Sequence, residues 1–198
     1  MLKFIASVAV IVCLVSGVAF AGISATPHNL SATNATGEIC LPCHAPHGGS
    51  TTGYLWNHTF KADSAFTKFE DDFVLGDSTL KCLGCHDGQT SVDDYFGSTS
   101  GSMGPLTGRK ALGLDLTTTH PVGVEYPTSS TSMAAVTITA TGSHRIMIGT
   151  KYLRLSETNG KYQVECSTCH TPHSNDNGGF LRMSNAGSAM CLGCHVSK

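Results

Sequence analysis

Eight of the nine cysteines in this chain fall into four C-x-x-C pairs, and a histidine follows every pair. They read Cys40-Leu41-Pro42-Cys43-His44, Cys82-Leu83-Gly84-Cys85-His86, Cys166-Ser167-Thr168-Cys169-His170 and Cys191-Leu192-Gly193-Cys194-His195. The remaining one, Cys13, sits in an apolar leader. No other pattern in the 198 residues restricts the fold as much. Whatever two thiols and an adjoining imidazole hold, this chain holds it four times.

The C-x-x-C-H string is the attachment sequence for c-type haem. Two intervening residues let both thiols reach vinyl groups on one edge of a porphyrin, and the next residue then lies over the ring with its imidazole toward the iron. Rival uses of paired cysteines account for less. Zinc does not require a histidine behind every pair. Disulfides give no reason for the histidine at all, and a thioredoxin-like site wants a single pair in an α/β pattern. The expectation is four covalent haem c groups, attached through Cys40, Cys43, Cys82, Cys85, Cys166, Cys169, Cys191 and Cys194. His44, His86, His170 and His195 are their proximal iron ligands.

Composition agrees. Charged residues are only 13% and glycine is 22 of 198. Leu, Ile, Val and Phe are thin outside the leader, so the polypeptide is short of apolar surface to offset its chain entropy. Four porphyrins would supply the missing bulk. The net charge of −2 and the lack of any basic run exclude a nucleic-acid partner.

Ten histidines less the four proximal ones leave six: His28, His47, His58, His120, His144 and His173. Four haems capped on both faces by imidazole need four of these. That sufficiency separates an electron carrier from an enzyme, because a catalytic haem keeps one axial position open. A multihaem reductase would more often show a shortage of histidine or an altered attachment motif, and neither occurs. Methionine is another axial option, but with histidine to spare Met103, Met133, Met147, Met183 and Met190 read as packing residues.

Two motifs carry a further histidine, in "CLPCHAPH" (40–47) and "CSTCHTPH" (166–173). His47 is three residues beyond His44 and cannot easily pass round the same porphyrin, but it can reach another iron. Three residues span at most about 10 Å. Each string therefore acts as a clamp that sets ligands of two irons side by side, with Pro46 and Pro172 stiffening the step. The chain reads as a doubled unit: a clamp and then a plain C-L-G-C-H motif, twice. Each half also has an upstream histidine beside a proline, His28 in "TPHNLS" and His120 in "THPVG". The distal candidates are His28, His47, His120 and His173. His58 and His144 are held in reserve, as packing or exposed residues, and the pairing of distal histidines with haems stays open.

Along the chain, residues 1–21 form a secretory signal: Lys3, an apolar run from Phe4 to Val18 and an Ala19-Phe20-Ala21 exit. No later run is long and apolar enough to span a membrane, so an exported, periplasmic or extracellular protein is expected. Residues 22–96 would be the first haem-pair module and 97–121, rich in Gly, Ser and Thr, a flexible linker. Residues 122–198 would hold a β-hairpin and the second module. Asn159-Gly160 is a hairpin turn, predicting strands near 151–155 and 161–165. A short helix is expected before Cys82, and each attachment motif should begin a helical turn. The fold class is a mostly irregular multihaem c-type cytochrome fold, with short helices at the haem sites, a small hairpin and a core made of haems. Acids at Asp87, Asp93 and Asp94 read as solvated surface rather than a calcium site, and Trp56 as a residue wedged on a porphyrin or in a loop core.

The set "HNLS … ICLPCHAPHG … LWNH … CLGCHDG … HPVG … ECSTCHTPHS … FLR … MCLGCH" resembles the doubled C-x-x-C-H multihaem cytochromes of bacteria and archaea over nearly the whole length after the leader. The resemblance implies low-potential, bis-histidine haems in stacked pairs and a role in respiratory electron transfer, with redox proteins as donors and acceptors. It also implies an alternative role. Some extracellular cytochromes of this kind polymerise into conductive filaments, so copies of the same chain or acceptors outside the cell become candidate partners.

Overall fold

The computed structural model describes residues 22–48, 53–99 and 103–197. The expected leader, 1–21, lies outside the described residues, and none of the described helices is long and apolar enough to cross a membrane.

Regular structure is sparse. Three α-helices occur among the described residues: α1 (Asp77–His86), α2 (Cys166–Cys169) and α3 (Ala189–Cys194). Each carries an attachment motif. The first motif instead forms a single tight turn, with His44 N–H donating to Cys40 O at 2.8 Å. The helix expected before Cys82 is α1, but the motif does not begin it. In α1 and α3 the cysteines lie in the last turns. α1 opens at Asp77 after an extended Gly76, runs through both cysteines and stops at His86, because Gly88 turns left-handed with φ 65°. A helix that ends on its histidine turns that ring out of the helical stack.

Two three-stranded antiparallel sheets occupy the second half, with strands β1 (Val124–Glu125), β2 (Val136–Ile138), β3 (His144–Ile148), β4 (Lys151–Arg154), β5 (Ser156–Thr158) and β6 (Lys161–Val164). Their orders are β1-β6-β5 and β2-β3-β4. The Asn159-Gly160 turn is where the sequence places it, both residues left-handed at φ 52° and 75°, as a tight hairpin requires. The expected partner strand was wrong. Residues 151–154 pair with β3, Ile146 opposite Leu153, and only 156–158 pair across the turn, Glu157 opposite Tyr162. A second two-residue turn, Gly149-Thr150, competes for Lys151–Arg154. The chain switches sheets at Leu155, whose burial fixes the corner.

Among the described residues, most buried apolar side chains fall in two small clusters. Tyr126, Ile146, Leu153, Leu155, Met183 and Met190 lie between the sheets and α3. Phe66, Leu75, Leu83 and Leu116 lie beside α1. Met183 and Met190 are thus packing residues. Residues 103–121 run across the first half: Leu112 N–H donates to His86 O, Thr67 N–H to Leu114 O and Leu116 N–H to Thr67 O. The acids expected at the surface are mostly inside. Asp87 is fully buried, accepting bonds from Gln89 N–H, Thr90 N–H and the Thr90 hydroxyl. Asp93 is buried beside the Ser91 hydroxyl and Met103 N–H. Short polar loops need internal acceptors for their backbone donors, and these carboxylates serve that need.

The halves join where α1 meets α2. Glu165 caps α2 and its Oε1 also accepts Gly76 N–H at 3.0 Å. Cys166 N–H donates to Thr79 Oγ1 at 3.1 Å, and the Ser78 and Ser167 hydroxyls meet at 2.8 Å. The second and third attachment motifs are thereby held against each other.

Candidate haem sites

The same local architecture builds both clamps. In the first, a left-handed pair, Tyr54-Leu55, lies beside the attachment turn with φ 58° and 51°. Tyr54 O accepts from His44 Nδ1 at 2.6 Å, and Leu55 O accepts Ala45 N–H at 2.9 Å. Two residues later Asn57 N–H donates to Cys43 O. In the second, the left-handed pair is Gly179-Phe180, φ 55° and 56°. Gly179 O accepts from His170 Nδ1 at 2.8 Å, Phe180 O accepts Thr171 N–H at 2.7 Å, and Arg182 N–H donates to Cys169 O. Left-handed Tyr, Leu and Phe are strained. In the first clamp the carbonyl that aims the proximal imidazole belongs to strained Tyr54; in the second it belongs to Gly179, which adopts this conformation freely.

The plain motif of α1 is treated alike, with His86 Nδ1 bonded to Lys110 O at 2.8 Å. A proximal ring whose Nδ1–H is fixed by a carbonyl presents its Nε2 lone pair outward, the usual second-layer arrangement of a metal-binding histidine. These carbonyls were invisible in the sequence, because the backbone and not the side chain does the work. The left-handed "YL" and "GF" steps would have been the only clue.

Three proximal histidines face another histidine across a gap. His44 and His173 have ring centres 6.2 Å apart, His86 and His28 6.3 Å, and His195 and His120 6.5 Å. An iron midway between two imidazoles, each bound at about 2 Å as imidazole binds first-row metals, separates ring centres by about 6 Å. Ring contacts elsewhere in the chain span a range: His28 stacks on Phe180 at 4.0 Å and His144 on Tyr162 at 3.3 Å, while His44–Trp56 and His58–Tyr95 lie at 5.9 and 6.3 Å. The residues therefore fit the group that the four motifs imply. No group of three or more His, Cys, Asp or Glu side chains converges as an ordinary metal-ion site among the described residues.

The remaining histidines differ. His58 is buried with both ring nitrogens against carbonyls, Nδ1 at 2.7 Å from Thr59 O and Nε2 at 3.1 Å from Val92 O. His144 is buried under Tyr162 with Nδ1 toward Gly142 O. His58 Nε2 also lies 3.3 Å from Cys85 Sγ. His47, like His170, is exposed. His28 is tied to the second clamp by a backbone bond to Pro172, and burial draws its ring below the ordinary histidine value.

None of the eight attachment cysteines is joined in a disulfide. Burial pushes Cys43 up to about 11, Cys85 to about 12 and Cys194 to about 11. Cys82, hydrogen-bonded to Cys166 and buried, is also raised. Its partner Cys166 is drawn down by the same hydrogen bond. The middle residues of the motifs face the scaffold: Pro42, Gly84 and Thr168 are buried. At Gly84 a Cβ would stand 2.7 Å from Thr59 O, and at Gly193 it would overlap Ile148. Trp56 stands edge-on to His44 at 5.9 Å, its Nε1–H buried without an acceptor.

Residues 160–198, which contain the third and fourth attachment motifs, match the family model of the doubled CXXCH motif, the pattern of multihaem c-type cytochromes. The comparison with curated proteins returned no match.

Proposed function

We propose that this chain is an exported tetrahaem c-type cytochrome that carries electrons through four low-spin haems, each capped by two histidines, in respiration. One observation carries the reading: three attachment histidines each face a histidine from elsewhere in the chain at a spacing that admits an iron. Covalent haem supplies the one-electron ferric/ferrous couple. The polypeptide's part is to fix and seal it. Paired cysteines fix the ring edge, Tyr54 O, Lys110 O and Gly179 O set the proximal imidazoles, and His28, His120 and His173 close the opposite faces. With both faces closed, no substrate reaches the metal, so the chain transfers electrons and performs no bond chemistry. Its partners are then redox proteins that meet it outside the inner membrane.

Intact mass and electron paramagnetic resonance of the purified, coloured protein test this together. Four added haem masses with only low-spin ferric signals are expected. Fewer than four haems, or a high-spin signal from a substantial share of them, would overturn it.

A further inference from the structure

We propose that the two clamps ligate each other's haems, with His173 capping the haem held by Cys40 and Cys43, and His47 capping the haem held by Cys166 and Cys169. The inference rests on the tetrahaem reading and adds the ligand pairing to it.

The first limb is direct. His173 belongs to the second clamp, yet its ring lies 6.2 Å from His44, the proximal histidine of the first, with the planes only 25° apart. The second limb follows from the repeat. Cys43, His44, Ala45, Tyr54, Leu55 and Asn57 correspond to Cys169, His170, Thr171, Gly179, Phe180 and Arg182 through one set of hydrogen bonds. His47 and His173 occupy corresponding places, each three residues beyond a proximal histidine. A reciprocal exchange, as in a two-fold contact where residue i meets j and j meets i, uses the two equivalent arms alike. Elimination gives the same result. His28 and His120 lie beside His86 and His195, His58 has both ring nitrogens on carbonyls and lies against Cys85 of the second motif rather than the third, and His144 is stacked under Tyr162. His47, exposed and stiffened by Pro46, is the histidine left for His170.

The resulting scheme has a simple rule. Each plain motif takes its cap from the upstream histidine of its own half, and each clamp takes its cap from the other half. Because His44 and His47 lie three residues apart, and His170 and His173 likewise, the first and third haems are tied to each other twice. The join at Gly76–Glu165 and Thr79–Cys166 places the second attachment site against the third, beside this central pair.

Nuclear Overhauser spectroscopy of the fully reduced, diamagnetic full-length holoprotein reads the pairing without any variant. The thioether protons of each haem identify its cysteines, and meso-proton contacts identify its axial rings. The His173 ring is expected on the haem whose thioethers belong to Cys40 and Cys43, and the His47 ring on that of Cys166 and Cys169. Either ring on any other haem, or His58 or His144 found as a ligand, overturns the proposal while leaving a four-haem, low-spin protein intact. As a second readout, His173→Met should convert one haem in four to histidine–methionine ligation, with an upward shift of one potential. If the shifted haem is the one bound by Cys166 and Cys169, the pairing is wrong.

Discussion

Replacing Glu165 tests whether the join between the halves is as decisive as its geometry implies. Its side chain caps α2 through Thr168 N–H, and its Oε1 also accepts Gly76 N–H across the join at 3.0 Å. Loss of a helix cap costs about 1 kcal/mol, and a buried amide left without its carboxylate partner costs about 1–3 kcal/mol. Relief of the buried charge offsets part of this, since Glu165 Oε2 has no partner, so Glu165→Ala should destabilise by about 2–3 kcal/mol. In a protein of this size that lowers the thermal midpoint by roughly 5–10 °C. Scanning calorimetry of the holoprotein measures it. The carboxyl also predicts a pH signature. Burial, only partly opposed by bonds from Thr79 and Gly76, raises the folded-state value above 4.5. A raised acid binds its proton more tightly in the folded state. Its contribution is therefore fully present below pH 4.5 and is lost as pH rises through the folded value. Glu165→Gln keeps the acceptor for Gly76 and removes the titration, so its stability relative to wild type should rise over that window and then level off. A midpoint unchanged in Glu165→Ala, or a parallel pH profile in Glu165→Gln, would refute the reasoning.

Other residues give sharper contrasts. His120→Ala should open one iron in four, so that carbon monoxide binds at about one per chain and one high-spin ferric signal appears. His58→Ala and His144→Ala should leave carbon monoxide binding near the wild-type level and cost roughly 1–3 kcal/mol of stability through lost buried hydrogen bonds and packing; denaturant titration with the Soret band distinguishes these cases. Gly84→Ala should lower stability by about 1–3 kcal/mol, because its Cβ meets the Thr59 carbonyl at 2.7 Å and backbone cannot yield as a side chain can. Gly193→Ala meets only Ile148, so Ile148→Ala should rescue it. No rescue in that double variant would count against the packing argument.

The chemistry was legible in the sequence because covalent attachment imposes a fixed spacing, and a fixed spacing survives without a fold. The four C-x-x-C-H strings and the internal doubling can be read from letters alone. So can the suspicion that "CHAPH" and "CHTPH" serve two irons each, and the Asn159-Gly160 turn. Which histidines come together was not legible. His44 and His173 lie in different halves of the chain, the halves are joined at Gly76, Thr79 and Glu165, and none of those residues advertises a join. The mistaken hairpin has the same origin. Lys151–Arg154 alternates equally well for two neighbours, and burial of Ile146 against Leu153 decides for the upstream one. Asp87 and Asp93 looked like surface acids because their role, satisfying turns in a loop-rich chain, leaves no periodic trace.

The paired histidines also bear on how such a chain stays folded. Its two apolar clusters hold only six and four buried residues, and much of the rest is turn. On the proposed reading each haem joins a cysteine pair and its histidine to a second histidine far away in sequence, at 44 and 173, 28 and 86, or 120 and 195. A cross-link that closes a loop of roughly 60–130 residues removes about 4–5 kcal/mol of unfolded-chain entropy. Four of them are comparable with what the clustered side chains add at about 1.5–3 kcal/mol each, before the apolar faces of the haems are counted. A chain with all eight attachment cysteines changed to serine should therefore lack near-ultraviolet circular dichroism and melt without a cooperative transition. Tyr126 and Leu153 would remain able to associate, but nothing would hold His28, His120 or His173 opposite its partner. If the serine variant unfolded cooperatively with native aromatic signals, the polypeptide would be shown to fold by itself. The histidine spacings would then be a property of its own packing, which the attached group exploits but does not create.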